Sequence, residues 1–206
     1  MGLQNTITRN YMSRNDILAE LVNYYLFSGR QTIKPSDLSD GNSIENVILS
    51  KQNEKNVSVE KYRDIIKQCV FKLTENTGFL LIGVENQLKP HYAMPIRSML
   101  YDALNYDRQI AEIEKQHHNN KDKMTGSEFL SGFTKKDRLV PVITLVVYFG
   151  QELWSAPKSL HEMLYTTNPD ILNFITDYHI NLIDPHQMSE NDYCKMGTHY
   201  NMLCVL

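Results

Sequence analysis

Asp64, Glu85 and Gln87 are the residues of this chain whose types and spacing could do chemistry. Two carboxylates brought side by side supply the hard oxygen ligands that Mg²⁺ and similar cations take. A cation held that way polarises a phosphate ester and lowers the pKa of an attacking water. Gln87 stands two positions beyond Glu85 and so shares its side of an extended chain, where its amide could orient that water without adding positive charge. The Asn86 backbone carbonyl is a further candidate oxygen ligand. The competing reading is a hairpin whose ends carry solvated acids, as strand ends commonly do.

The elements that must position these groups are legible around them. Residues 79–87 form an apolar run of strand length, with Glu85 where the backbone leaves the sheet. Residues 62–73 read as a second strand, and residues 74–78 between them contain the turn residues Asn76 and Gly78. Antiparallel pairing sets the start of one strand beside the end of the next, which brings Asp64 to Glu85. Upstream, residues 15–28 predict a helix with Ile17, Leu18, Leu21, Val22 and Tyr25 at helical spacing, Asn15 as its cap and Ser28-Gly29 at its end. Glu20 borders that stripe, placed either to reach a sheet end or to face solvent. Residues 44–49 predict a short strand and residues 50–56 a loop.

Pro95 suits the first turn of a helix running to about His117, with Met99, Ala103, Tyr106, Ile110 and Ile113 as its expected buried stripe. Arg97 and Tyr101, four apart, share another face and could hold a phosphate; the alternative is that they pack and snorkel. Residues 139–149 are apolar on both faces and predict a buried strand, parallel to the Glu85 strand because a helix separates the two. Residues 150–159, with the sole tryptophan Trp154, predict a loop at the same sheet end. Short helices are expected at 160–164 and 170–176, and a last strand at 178–183 stopped by Asp184-Pro185.

Composition is that of an ordinary globular domain, with 42% apolar and 22% charged residues, and no apolar run approaches membrane-spanning length. Three cysteines without C-x-x-C spacing argue against a disulfide framework or a zinc knuckle and for a reducing cytoplasm. A net charge of −3 argues against coating nucleic acid by electrostatics alone. The basic residues of 115–138 fit either a DNA-contacting loop or a solvated connector. Adjacent His117 and His118 lack metal-ligand spacing. No nucleotide-binding glycine loop, H-E-x-x-H or G-x-S-x-G is present, which leaves kinase, zincin and serine-hydrolase readings without residues.

Tyr62-Arg63-Asp64, Leu81-Ile82-Gly83-Val84-Glu85-Asn86-Gln87, His91-Tyr92-Ala93-Met94-Pro95-Ile96-Arg97, Leu100-Tyr101-Asp102-Ala103-Leu104, Pro141-Val142-Ile143-Thr144-Leu145 and Ile180-Asn181-Leu182-Ile183 together resemble the Rpn family of recombination-promoting nucleases and putative transposases. That family is a bacterial branch of the PD-(D/E)XK nucleases, and the resemblance runs from about Tyr11 to Met188. It implies an α/β fold, a mixed central sheet flanked by helices with an αβββαβ core, and a Mg²⁺-dependent (or other divalent-cation-dependent) DNA endonuclease tied to recombination or mobile elements. Asp64 and Glu85 match the metal-binding acids, Gln87 the amide that this family has in place of lysine, Glu20 the first-helix acid and Arg97 the helix arginine.

The expected organisation is an N-terminal arm at 1–10, a nuclease-like domain at 11–190 and a short tail at 191–206 that departs from the family pattern and packs poorly. DNA is the implied partner, a homodimer is left open, and no membrane is involved. The alternative reading is a truncated, catalytically inactive transposase-like remnant that binds DNA or a protein. If Asp64 and Glu85 repel one another without metal, removing either should leave the apo fold as stable or slightly more so.

Overall fold

The computed structural model describes residues 3–40, 44–49, 57–62, 65–73, 76–189 and 192. In chain order the elements are α1 (Leu3–Met12), α2 (Asn15–Phe27), β1 (Leu38–Asp40), β2 (Ile44–Leu49), β3 (Val57–Tyr62), β4 (Ile65–Leu73), β5 (Asn76–Gln87), α3 (Met94–Asn120), α4 (Gly126–Ser131), β6 (Val142–Tyr148), α5 (Pro169–Leu172) and β7 (Asn181–Ile183). Five strands make one mixed sheet in the order β1-β4-β5-β6-β7, and β2 pairs with β3 as a separate two-stranded ribbon. The β1–β4 and β4–β5 pairs are antiparallel; β5–β6 and β6–β7 are parallel. The crossover through α3 delivers β6 parallel to β5, as a helix between two paired strands requires.

Strand alternation divides the sheet into two faces. Leu80, Ile82 and Val84 of β5 and Leu145 and Val147 of β6 pack with Ile17, Leu18, Leu21 and Val22 of α2, which are all at most 1% exposed. On the other face Val146 and Tyr148 of β6 pack with Met94 of α3, Trp154 and Ile180. The mixed sheet is thus covered on one side by α1 and α2 and on the other by α3, and its central strands read as continuous apolar runs for that reason.

Local structure departs from the sequence expectations in the strands: β1 and β3 form where none was expected, β2 joins the separate ribbon and not the main sheet, and Asn76 and Gly78, expected in the turn, lie in β5. Three further departures concern the helices. Residues 3–12 form a helix whose Met12 is wholly buried in the core, an apolar anchor at the end of an otherwise polar segment. Asn15 does not cap α2; its amide donates to the Pro35 and Leu38 carbonyls and ties the helix start to β1, with Arg14 in the cap position. The helix does end as expected, with Ser28 left-handed at φ 54 and the Gly29 N–H returning to the Asn23 carbonyl.

The third difference is the packed face of α3. Its buried residues are Met94, Pro95, Ser98, Tyr101 and Asn105, whereas Met99 and Ala103 of the expected stripe are exposed. Asn105 is tolerated inside because its amide donates to the Tyr101 carbonyl, and its own Oδ1 accepts from Arg108. Asp102 beside this face accepts from the Thr144 hydroxyl at 2.5 Å and the Tyr178 hydroxyl at 2.6 Å. The α3 face of the sheet is polar at Thr144 and Glu85, so a helix matched to it carries polar groups where hydropathy alone would place apolar ones. Among the described residues no helix is long and apolar enough to cross a membrane.

Candidate active site

β5 and α3 together build a buried charge pair. β5 is paired along its length, from Leu73↔Asn76 to Ile65↔Val84 on one side and from Leu81↔Val142 to Gln87↔Tyr148 on the other. Glu85 follows Val84 and therefore points to the opposite face, opposite Val146 and toward α3. Its residue exposure is 0%. An ionised carboxylate in that setting needs a partner, and Arg97 from the first turns of α3 provides one: Nη2 stands 3.0 Å from Glu85 Oε2. The guanidinium also lies over the Tyr101 ring, 5.4 Å from its centroid.

Each candidate site residue can be located against this pair. Gln87 shares the Glu85 face and is partly buried at the strand exit. The Gln87 carbonyl is committed to the Phe149 N–H at 2.8 Å, and neighbouring carbonyls of a strand point to opposite sides, so the Asn86 carbonyl is aimed away from β6 and toward the β4 side. Tyr101 is 3% exposed, with its ring against Arg97. Glu20 lies on α2, the helix that packs against the other face of the sheet, and its Oε2 is buried. It is close enough to Tyr11 of α1 to help raise that phenol's pKa, an effect led by burial. Asp64 lies outside the described residues; the described register stops at Ile65↔Val84, one residue short of both acids.

The structure thus brings together Glu85, Arg97 and Tyr101, with Gln87 on the same face, and places Glu20 on the opposite layer. The oxygen donors at this strand end, the Glu85 carboxylate and backbone carbonyls, are of the hard type that a divalent cation such as Mg²⁺ takes. Among the described residues no group of three or more His, Cys, Asp or Glu side chains could hold a metal ion. Glu85 has a cation set against it that sequence spacing did not reveal. Arg97 and Tyr101 at i and i+4 were the available signal, but nothing in one-dimensional spacing says which side chain a helix will present to a strand end.

Beyond Gln87 the strand ends open into a cleft of ≈ 710 Å³, lined by Thr8 of α1, Lys89, Tyr92, Tyr148, Gln151 and Ser155 among others. The Trp154 loop does lie at this sheet end. Tyr148 is 1% exposed and meets the Trp154 ring edge-on at 5.2 Å. Gly150 passes so close to the Tyr148 hydroxyl that no side-chain carbon fits there. Beneath β7, Asp184 is 4% exposed and accepts from the His186 N–H and the Gln187 amide. The His186 ring bonds Asp184 on one nitrogen and the Gln151 carbonyl on the other, tying the β7 exit to the cleft wall. None of these residues carries a sequence motif that would have marked it.

At the far end of α3, His117 sets Nδ1 2.7 Å from Asp122 and Nε2 2.8 Å from Asp137. Both carboxylates favour the doubly protonated ring and hold its pKa above the ordinary value, Asp122 first. His117 thus acts as an ion-pair hub at a helix C-terminus, where positive charge is favoured, and Thr125 and Glu128 form a capping box on α4 just beyond. These bonds fold the segment that follows α3.

A family model described as "Putative transposase, YhgA-like" matches residues 54–206. That span covers more than half of the chain, and the chain belongs to this family. It includes the β4–β5 hairpin, Glu85, Gln87, Arg97 and Tyr101, in keeping with the resemblance seen in the sequence blocks, and it runs through 191–206, which were expected to depart from the family pattern. No curated protein and no solved structure matches the chain.

Proposed function

We propose that this member of the YhgA-like transposase family is a divalent-metal-dependent DNA endonuclease of the PD-(D/E)XK type, serving recombination or mobile-element chemistry. The observation that carries the proposal is Glu85, a wholly buried carboxylate at the exit of a central strand with a guanidinium drawn to it. Burying a charge there is costly and contributes little to stability compared with an apolar residue of the same size, so its presence points to use. With the separate β2–β3 ribbon and the short α4 left out, the order α2, β1, β4, β5, α3, β6 also supports the reading, because it matches the αβββαβ order of that nuclease core.

In this reading Asp64, Glu85 and the Asn86 carbonyl hold Mg²⁺, which supplies Lewis acidity toward a scissile phosphate and a lowered pKa for the attacking water. Gln87, on the Glu85 face, orients that water through its amide. Arg97, a third exposed, is the positive group able to meet a phosphate oxygen beside the site. The cleft beyond Gln87 gives a strand of DNA a place to lie, with Lys89 near its phosphates. Glu20 of α2, with its Oε2 buried, is the first-helix acid of this reading.

The test is plasmid cleavage with and without Mg²⁺. The parent nicks only with metal, and Glu85→Ala, folded by circular dichroism, does not. Metal-independent nicking, or nicking retained by Glu85→Ala, sinks the proposal.

A further inference from the structure

We infer that Arg97 is a displaceable internal cation: it occupies the Glu85 carboxylate in the metal-free protein, competes with the divalent ion for it, and is released when the ion binds. The inference rests on the nuclease reading above and concerns the regulation of that same site.

The geometry of the pair is that of a provisional contact. A structural arginine–carboxylate pair commonly uses the fork of the guanidinium, with two parallel hydrogen bonds to the two carboxylate oxygens. Here one nitrogen, Nη2, approaches Glu85 Oε2 at 3.0 Å, while Arg97 Nε is buried without a hydrogen-bond partner among the described residues. A buried ion pair with an idle donor recovers only part of the desolvation it costs. Arg97 also sits in the first turns of α3, where the positive end of the helix disfavours a cation, so Glu85 and the Tyr101 ring hold it against that field.

The route out is equally visible. Glu85 is sealed at 0% side-chain exposure, but the Arg97 side chain is 34% exposed. The guanidinium rests against the Tyr101 ring, a flat surface along which it can slide without losing its favourable contact. A guanidinium freed from Glu85 stays within the same helix turn and faces the sheet end where a phosphate would arrive. One residue therefore holds the acid in place before metal is bound and turns positive charge toward substrate afterward.

The experiment compares Mn²⁺ binding to the parent, Arg97→Gln, Arg97→Lys and Glu85→Gln by titration calorimetry, in the absence of DNA. Removing a competing charge at this range changes the affinity of a carboxylate for a cation by roughly tenfold or more, so Arg97→Gln is expected to bind Mn²⁺ about that much more tightly. Arg97→Lys falls between it and the parent. The melting temperature of Arg97→Gln without metal drops, and saturating Mn²⁺ restores it by a larger shift than in the parent. A second measurement needs no Arg97→Gln variant that folds: the ¹⁵Nε signal of Arg97 in the parent, assigned through Arg97→Lys, should move and lose exchange protection on Mg²⁺ addition.

Arg97→Gln binding Mn²⁺ no tighter than the parent, or an Arg97 signal indifferent to Mg²⁺, overturns the inference and leaves Arg97 a positioning residue. If the parent itself binds no Mn²⁺, or Glu85→Gln binds it as well as the parent does, the nuclease reading fails and this inference with it.

Discussion

Asp102→Ala is expected to destabilise the fold by about 1.5–4 kcal/mol, a value built from its two hydroxyl partners. Asp102 Oδ1 accepts from Thr144 at 2.5 Å and Oδ2 from Tyr178 at 2.6 Å, joining α3 to β6 and to the segment leading into β7. Thr144 is 1% exposed, so its hydroxyl has no route to water once the carboxylate is gone. A buried donor stranded in this way costs about 1–3 kcal/mol. Tyr178 is only partly buried and recovers a water, leaving a net loss of about 0.5–1 kcal/mol on that side. Urea unfolding followed by circular dichroism reads the sum from the midpoint at unchanged slope. Thr144→Val in the Asp102→Ala background removes the stranded hydroxyl and should regain roughly 1 kcal/mol, so the two substitutions are non-additive. A cost below about 0.5 kcal/mol, or strict additivity of the pair, refutes the argument that this network fixes α3.

Gln87→Ala should slow Mg²⁺-dependent nicking less than Glu85→Ala does, and Gln87→Lys should raise it by adding charge near the developing phosphorane, both read from initial rates on supercoiled plasmid. Gly150→Ala forces a carbon onto the Tyr148 ring and should cost about 1–3 kcal/mol in thermal melts, partly relieved by Tyr148→Leu; an unchanged melt would disprove the close approach. The His117 hub makes stability depend on pH. Because its pKa is raised by Asp122 and then Asp137, its contribution is complete below the ordinary imidazole value and is lost as pH rises through the raised native one. Asp137, lowered by the Thr134 N–H and then by His117, contributes above its ordinary value and loses that as pH falls through the depressed one. An NMR titration of His117 with a midpoint at or below the ordinary value would contradict this. Cys69, 1% exposed and with its thiol pushed up to about 11 by burial, should resist iodoacetamide at neutral pH in native protein, as peptide mass mapping would show.

The sequence by itself determined the parts whose physics is local. Residues 44–49, most of 62–73 and 79–87 read as strands because their composition suits a pleated ladder, although β4 starts only at Ile65 and β5 already at Asn76, and the crossover through a helix makes β5 and β6 parallel. The span of α2 and its end at Ser28-Gly29 follow from apolar period and a residue pair that tolerates left-handed backbone. The acid, spacer and amide at the β5 exit were legible too, since alternation fixes which of them share a face. Asp64 and the tail expected to pack poorly, 191–206 apart from Asp192, lie outside the described residues.

Tertiary structure decided the rest. Hydropathy chose Met99 and Ala103 for the inside of α3, but the surface it meets carries Thr144 and Glu85, so the helix turns Ser98, Tyr101 and Asn105 inward and leaves Met99 exposed. The same rotation carries Arg97 to Glu85. α1 is largely polar in sequence and is anchored at its end by the buried Met12, with Tyr11 beside it, against a core built from distant strands. Which face a helix buries is a property of two surfaces, and a single sequence window contains only one of them.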